Sequence, residues 1–180
     1  AIPGVKSALS QISNTTKGLV LDLRNNPGGL FDQTIKIADM FLEHGTVTSY
    51  QGRKVSSRRS FSANPGKLAH GLPIVVLING GAASATEILA GALKDHGRAV
   101  LLGTRTFGKG TVQTISPLNG GGALRLTTSR FYRPSGVPMS KAGIQPDIRF
   151  ERADPDTDEE LEMALMLLRE PTSDFISMAR

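Results

Sequence analysis

The stretch "NGGAASATEILAGALKDHGRAVLLGTRTFGKGTVQ", residues 79–113, decides how this chain folds. Its first Gly-rich turn, "GGAASATEI", opens a helical pattern, "SATEILAGALKDHG" (84–97), that stops at Gly97. The apolar run "RAVLLG" (98–103) then reads as a short buried strand. The second turn, "GTRTFGKG", empties into "TVQTIS", which is branched and strand-like. Just upstream, "LPIVVLING" (72–80) is another buried strand that enters the first turn. Strand, helix and strand, with the strands apolar throughout, imply a parallel sheet covered on both faces.

The same alternation extends toward the N-terminus. "GLVLDLR" (18–24) reads as a buried strand running into the loop "NNPGG". "FDQTIKIADMFLEHG" (31–45) reads as a helix, with Ile35, Ala38 and Leu42 on one stripe and Gly45 as its stop. Residues 5–13 look like the end of an amphipathic helix carrying Val5, Leu9 and Ile12. "TVTSYQGRKVSSRRSF" alternates and predicts a hairpin or extended excursion. Beyond Lys109 the character changes to strand-like pieces, "GTVQTISPL", "GALRLTTSRFYRPSG" and "IQPDIRF", separated by Gly, Pro and Asn turns. The chain closes on a predicted helix, 157–170, with Thr157 and Glu160 at capping-box spacing. Its Leu161, Leu165 and Leu168 fall on one side, apolar enough to dock on the core or on another subunit. The expected fold is α/β: one domain over residues 1–180, with a mostly parallel sheet, flanking helices and additional β-strands.

Composition narrows the functions. The 180 residues suffice for one domain with a core. No apolar run is long enough to span a bilayer as a helix. The N-terminus "AIPGVKSALS" has neither a basic nor an apolar leader segment, so the chain reads as a processed product or an excised piece. With no Cys, disulfides, thiol catalysis and Cys-ligated zinc are excluded. The net charge of +5 is partly clustered at Arg53, Lys54, Arg58 and Arg59. With few aromatics to stack on bases, that cluster reads as a solvated hairpin rather than a nucleic-acid surface. His44, His70 and His96 lack metal-ligand spacing. No cofactor, metal or nucleic acid is expected.

Two motifs carry chemistry. "GTRTFGKG" matches a phosphate-binding loop at Gly103, Gly108 and Lys109. The match fails at Gly110, where Ser or Thr is needed, and at the strand that follows, where a helix N-terminus is needed. Ser84 opens a helix and Glu87 follows three residues later, the spacing of a capping box. A hydroxyl between a strand end and a helix start is also where a nucleophile can sit. Free amides and the helix dipole stabilise an oxyanion there. Such a serine needs a base. Lys109, at the same sheet edge, is the candidate, and His96 stays open as an alternative.

Taken together, "GLVLDLRNNPGGLFDQTIKIADMF", "PIVVLINGGAASATEILAGALKDHGRAVLLGTRTFGKGTVQ" and "RFYRPSGVPMSKAGIQPDI" resemble the protease core of the carboxyl-terminal processing (tail-specific) proteases over roughly residues 17–150. The resemblance implies a ClpP/crotonase-like core and a Ser-Lys peptidase that works through an acyl-enzyme. In that family's pattern Ser84 is the nucleophile and Lys109, held neutral by burial, the base; Gln113 orients Lys109. The amides of Gly29 and Ala85 form the oxyanion hole, and Asp95 matches an acidic residue implicated in some members. The family carries a PDZ domain and an N-terminal region before this core, and neither is found before "GLVLDLR". An inactive peptide-binding or assembly fragment of the same fold is therefore the alternative. The resemblance further implies protein or peptide substrates, a homo-oligomer, a lipoprotein adaptor and a place in the cell envelope or periplasm.

Overall fold

The computed structural model describes residues 1–64, 71–140, 142–151, 153–154 and 156–169. His70, Lys141 of the third motif and Glu170 at the expected end of the last helix lie outside them. Two four-stranded sheets form the frame. The first, sheet A, is built from β1 (Leu19–Asp22), β4 (Ile74–Ile78), β5 (Val100–Gly103) and β8 (Ile148–Arg149). Their order is β1-β4-β5-β8 and every pairing is parallel. The second, sheet B, is antiparallel, in the order β3-β2-β7-β6. It contains β2 (Thr46–Gly52), β3 (Arg59–Ser62), β6 (Thr111–Pro117) and β7 (Ala123–Tyr132). The expected α/β fold with extra strands is thus observed: "GTVQTISPL" and "GALRLTTSRFYRPSG" join the 46–62 hairpin in a second sheet, while "IQPDIRF" supplies β8 at the edge of sheet A.

The uniform apolarity of the central strands follows from burial on both faces. Every residue of β4 and β5 is buried. Ile74, Val76, Ile78 and Leu101 pack into the larger core with α2 (Phe31–Phe41) and α3 (Ala85–Asp95). Val75, Leu77, Val100 and Leu102 face the other way, against Ala164 and Leu161 of α4 (Glu159–Leu167). The closing helix therefore docks on this chain's own sheet.

Several boundaries differ from expectation, each for a local reason. The first helix, α1 (Ile2–Leu9), begins earlier than residue 5, because Pro3 suits a first helical turn. Ile12, beyond its end, still packs on the core. α2 ends at Phe41 because Leu42 turns to extended backbone (φ −103°, ψ 142°) to bury its side chain. At α4 the cap is Asp158, which accepts the Leu161 N–H (3.2 Å), not Thr157. Glu160 is drawn instead to Arg24 (2.5 Å). On α4, Leu165 is exposed, since Leu161, Ala164 and Leu168 occupy the inward face. The predicted hairpin at 46–61 forms as β2 and β3 around a short 3-10 turn, Val55–Ser57. Its four basic residues, Arg53, Lys54, Arg58 and Arg59, are exposed.

Candidate active site

Three loops meet above the C-terminal ends of β1, β4 and β5: "NNPGG", the Ser84 turn and "GTRTFGKG". Ser84 caps the N-terminus of α3 with φ 60° and ψ −118°. Among the described residues only Asn25 and Ser84 hold a positive φ without being glycine. Such backbone costs about 1–3 kcal/mol, so the surroundings must hold it in place. The Ser84 side chain lies toward the first helical turn in capping-box fashion but makes no cap hydrogen bond of good geometry.

Glu87 supplies much of that hold. It is fully buried, and its contacts all come from donors. Oε2 accepts the N–H of Ser84 and the N–H of Lys109, each at 2.8 Å. Oε1 accepts the Thr106 hydroxyl (2.5 Å) and the Gly108 N–H (2.7 Å). The amide nitrogens of Ser84 and Lys109 are therefore separated by no more than twice 2.8 Å. One carboxylate joins the serine turn to the lysine loop. Thr106 extends the link by accepting the Ile144 N–H (2.7 Å), and the Phe107 N–H donates to the Ala82 carbonyl (3.0 Å).

The "NNPGG" loop is fastened from two sides. The Asn79 amide donates to Asn25 Oδ1 (3.1 Å), while Asn79 Oδ1 accepts the Asn25 and Gly81 N–H groups. The Ala83 N–H donates to the Asn26 carbonyl (3.0 Å). Arg24 anchors the loop's base, bonding Asp22, Asp158 and Glu160. Its acceptors, Asp158 first and then Asp22, raise its pKa against the effect of burial. After the loop, Phe31 packs on Phe61 and Phe131 at centroid distances of 4.8 and 5.5 Å, tying the start of α2 to sheet B.

Gly28 shows how closely the loops approach. A Cβ there would lie 2.7 Å from the Ala83 carbonyl oxygen and 2.9 Å from the Ala85 nitrogen, and its φ is 96°. Only glycine fits such a contact. Gly29 beside it is open to space, and its N–H and that of Ala85 have no partner among the described residues. Both line a cavity of about 310 Å³ whose other walls include Val5, Leu23, Leu30 and Leu89. Two free amides beside a hydroxyl at a helix N-terminus can receive an oxyanion, and the apolar cavity can take an uncharged side chain.

The remaining predicted residues are placed differently from expectation. Lys109 is exposed rather than buried, because no described segment lies over its loop. Gln113, on β6, is exposed, and its amide donates to Thr127 Oγ1 (2.5 Å) on the facing strand. It makes no hydrogen bond to Lys109, since antiparallel pairing sets it beside β7. Asp95 sits at the far end of the eleven-residue α3, about 16 Å along the helix from Ser84. There it pairs with Arg133 and accepts the Ser135 N–H (3.0 Å), so it fastens β7's end rather than facing the serine. His96, at the same far end, contacts the Thr46 carbonyl (2.8 Å), which removes it as a base for Ser84. The residues that sequence reasoning missed are Glu87 as a bridge, Thr106 and the Asn25–Asn79 pair. One signal was available. Glu87 is the only charge in "SATEILAGAL", and a helix apolar around its circumference leaves a carboxylate no water to face.

Residues 3–150 match the model of Peptidase family S41. The chain is 53% identical over 153 residues to the carboxy-terminal-processing protease of Bartonella bacilliformis, covering 84% of this chain and 35% of that one. It is 44% identical over 144 residues to the carboxyl-terminal-processing protease of Synechocystis sp., covering 79% and 33%. A solved photosystem II D1 C-terminal processing protease superposes with a TM-score of 0.79 at 36% identity, covering 97% of this chain and 45% of that one. The chain thus spans about a third of the length of the curated relatives it matches.

Proposed function

The chain belongs to peptidase family S41, and from that premise we propose that Ser84 and Lys109 form a Ser-Lys dyad that hydrolyses peptide bonds in extended or C-terminal protein segments. The observation that carries this reading is the Glu87 bridge, which holds the Ser84 and Lys109 amides on one carboxylate oxygen. A lysine's flexible four-carbon stem gives its ammonium the reach to approach a turn this near. Lys109 takes the Ser84 proton as the oxygen attacks a peptide carbonyl, and the resulting oxyanion lies on the Gly29 and Ala85 amides. Collapse of this intermediate expels the amine, which leaves with a proton from Lys109, and an acyl-enzyme remains. Water, deprotonated by Lys109, then releases the acyl group and restores Ser84.

The exposure of Lys109 qualifies how this works. Desolvation is one of the effects that disfavour an ammonium relative to the free amine. A peptide lying across the site would supply it, so substrate would complete the base. The apolar cavity beside Gly29 and Ala85 suits the uncharged side chain preceding the cut. Protein substrates, a homo-oligomer, a lipoprotein adaptor and an envelope location belong to the same reading, by family likeness. A second reading, peptide binding without hydrolysis, is favoured by the exposed Lys109 and by Gln113 bonding Thr127.

A serine-reactive phosphonate decides between them. Labelling of the wild-type chain, lost in both Ser84→Ala and Lys109→Ala, supports the dyad. Undiminished labelling of Lys109→Ala sinks it, and unlabelled wild type favours binding alone.

A further inference from the structure

Among the described residues, sheet B ends in a strand without a neighbour. β6 is outermost in its order, and residues 113–118 are exposed. Its pairing with β7 tells which backbone groups are free. The Leu118 N–H donates to the Gly122 carbonyl (3.1 Å), and the Phe131 N–H donates to the Gly110 carbonyl (2.9 Å). Both are rungs between β6 and β7. Between them, Val112 lies opposite Ser129, Thr114 opposite Leu126 and Ser116 opposite Leu124. The irregularity in this pair skips Thr128 on β7 and leaves β6 unbroken. Backbone groups alternate sides along a strand. Residues 110, 112, 114, 116 and 118 therefore face β7, while Thr111, Gln113, Ile115 and Pro117 turn their backbone groups to the open edge.

That edge lacks the usual protection. From Thr111 to Ser116 it carries no charge, and Thr111, Val112, Thr114 and Ile115 are β-branched, the composition that favours pairing. Pro117, without an N–H, closes it. The opposite edge of the sheet, β3, is instead guarded by Arg59 and its neighbour Arg58. The first free rung, Thr111, comes two residues after Lys109. A strand added there therefore starts beside the lysine loop of the candidate site.

We propose that an extended peptide binds as a fifth strand of sheet B, along β6, with the backbone groups of Thr111, Gln113 and Ile115 as its rungs. The identity of that peptide as substrate rests on the hydrolase reading; the pairing itself rests on the β6 edge. Main-chain rungs bind any extended sequence, and the rim of the strand adds no charge to select one.

The test uses the 180-residue chain carrying Ser84→Ala, so that peptide is bound and not cut, and a short Ser/Val/Ala peptide with a free C-terminus. Backbone amide exchange is followed by NMR. Adding peptide should slow exchange about tenfold or more at Thr111, Gln113 and Ile115, with little change at Val112, Thr114 and Ser116, already bonded to β7. N-methylation at alternate peptide residues should weaken binding about three- to tenfold each, and the intervening positions should tolerate it. Absence of binding, equal slowing at odd and even positions, or slowing at β3 overturns the proposal. So does protection of the odd amides without peptide that grows with protein concentration, since a second copy would then own the edge. Phosphonate labelling of wild-type Ser84 separates the two readings. Labelling without the alternating pattern leaves the hydrolase and removes the ladder. The pattern without labelling leaves a peptide-binding edge and removes the hydrolase.

Discussion

Replacing Glu87 with glutamine substitutes an amide for one of the two oxygens that join the serine turn to the lysine loop. The side chain has no room to move, being wholly buried. If the NH2 takes the place of Oε2, it meets the Ser84 and Lys109 N–H groups, and two buried donors are stranded. If it takes the place of Oε1, the Thr106 hydroxyl can rotate to accept from it, but the Gly108 N–H is stranded. A buried donor without a partner costs about 1–3 kcal/mol, and the surviving bonds lose their charge assistance. The expected loss is therefore about 2–4 kcal/mol, a large part of the stability of a domain this size. Urea unfolding followed by far-UV circular dichroism suits a chain with no Trp and only two Tyr. At a slope of about 2 kcal/mol per molar, the midpoint should fall by about 1–2 M with the slope unchanged. Phosphonate labelling of Ser84 should fall with it at urea concentrations where the variant is still folded. A loss below about 1 kcal/mol with labelling intact would refute the bridge, because then neither turn depends on that carboxylate.

Two further substitutions probe the loops around it. Gly28→Ala puts a methyl group within 2.7 Å of the Ala83 carbonyl at a φ of 96°. Stability should drop by about 1–3 kcal/mol in thermal unfolding and labelling of Ser84 should be abolished; retained labelling would mean this loop does not form the oxyanion site. Asp95→Asn leaves the Arg133 guanidinium short of its carboxylate partner at a site only 7% exposed. It should cost about 1–3 kcal/mol while labelling of Ser84 persists, and loss of labelling at full stability would restore Asp95 to the site.

Much of the fold was legible because its signals are local. The apolar runs at 18–24, 72–80 and 98–103 have one structural reading once helices alternate with them, and all three became strands of one parallel sheet. The turn chemistry held as well. Gly97 ends α3 at φ 58°, and Gly103 sits at φ 122° where a Cβ would meet the Ile78 carbonyl oxygen at 2.2 Å. The false phosphate loop was excluded by the strand that follows it, and β6 is that strand. The helical stripe in 31–45 continues past the end of α2 at Phe41 because Leu42 fits it. Leu42 leaves the helix only because the core lies in another direction.

The sequence by itself determined the α/β order, a serine at a helix start, and a lysine loop following the neighbouring strand. Those are consequences of periodicity, glycine and chain order, which act over a few residues. Tertiary structure alone decided what these residues touch. Glu87 reads as a cap partner in "SATE" and becomes a bridge only when residues 106–109 fold over it. Asn25 and Asn79 meet across 54 residues of chain because β1 and β4 are neighbours. Gln113 turns to Thr127 because long-range antiparallel pairing sets β6 beside β7, and Lys109 is exposed because no described segment covers its loop. Partners of that kind are set by which segments pack together, and no short window of sequence contains both sides of the contact.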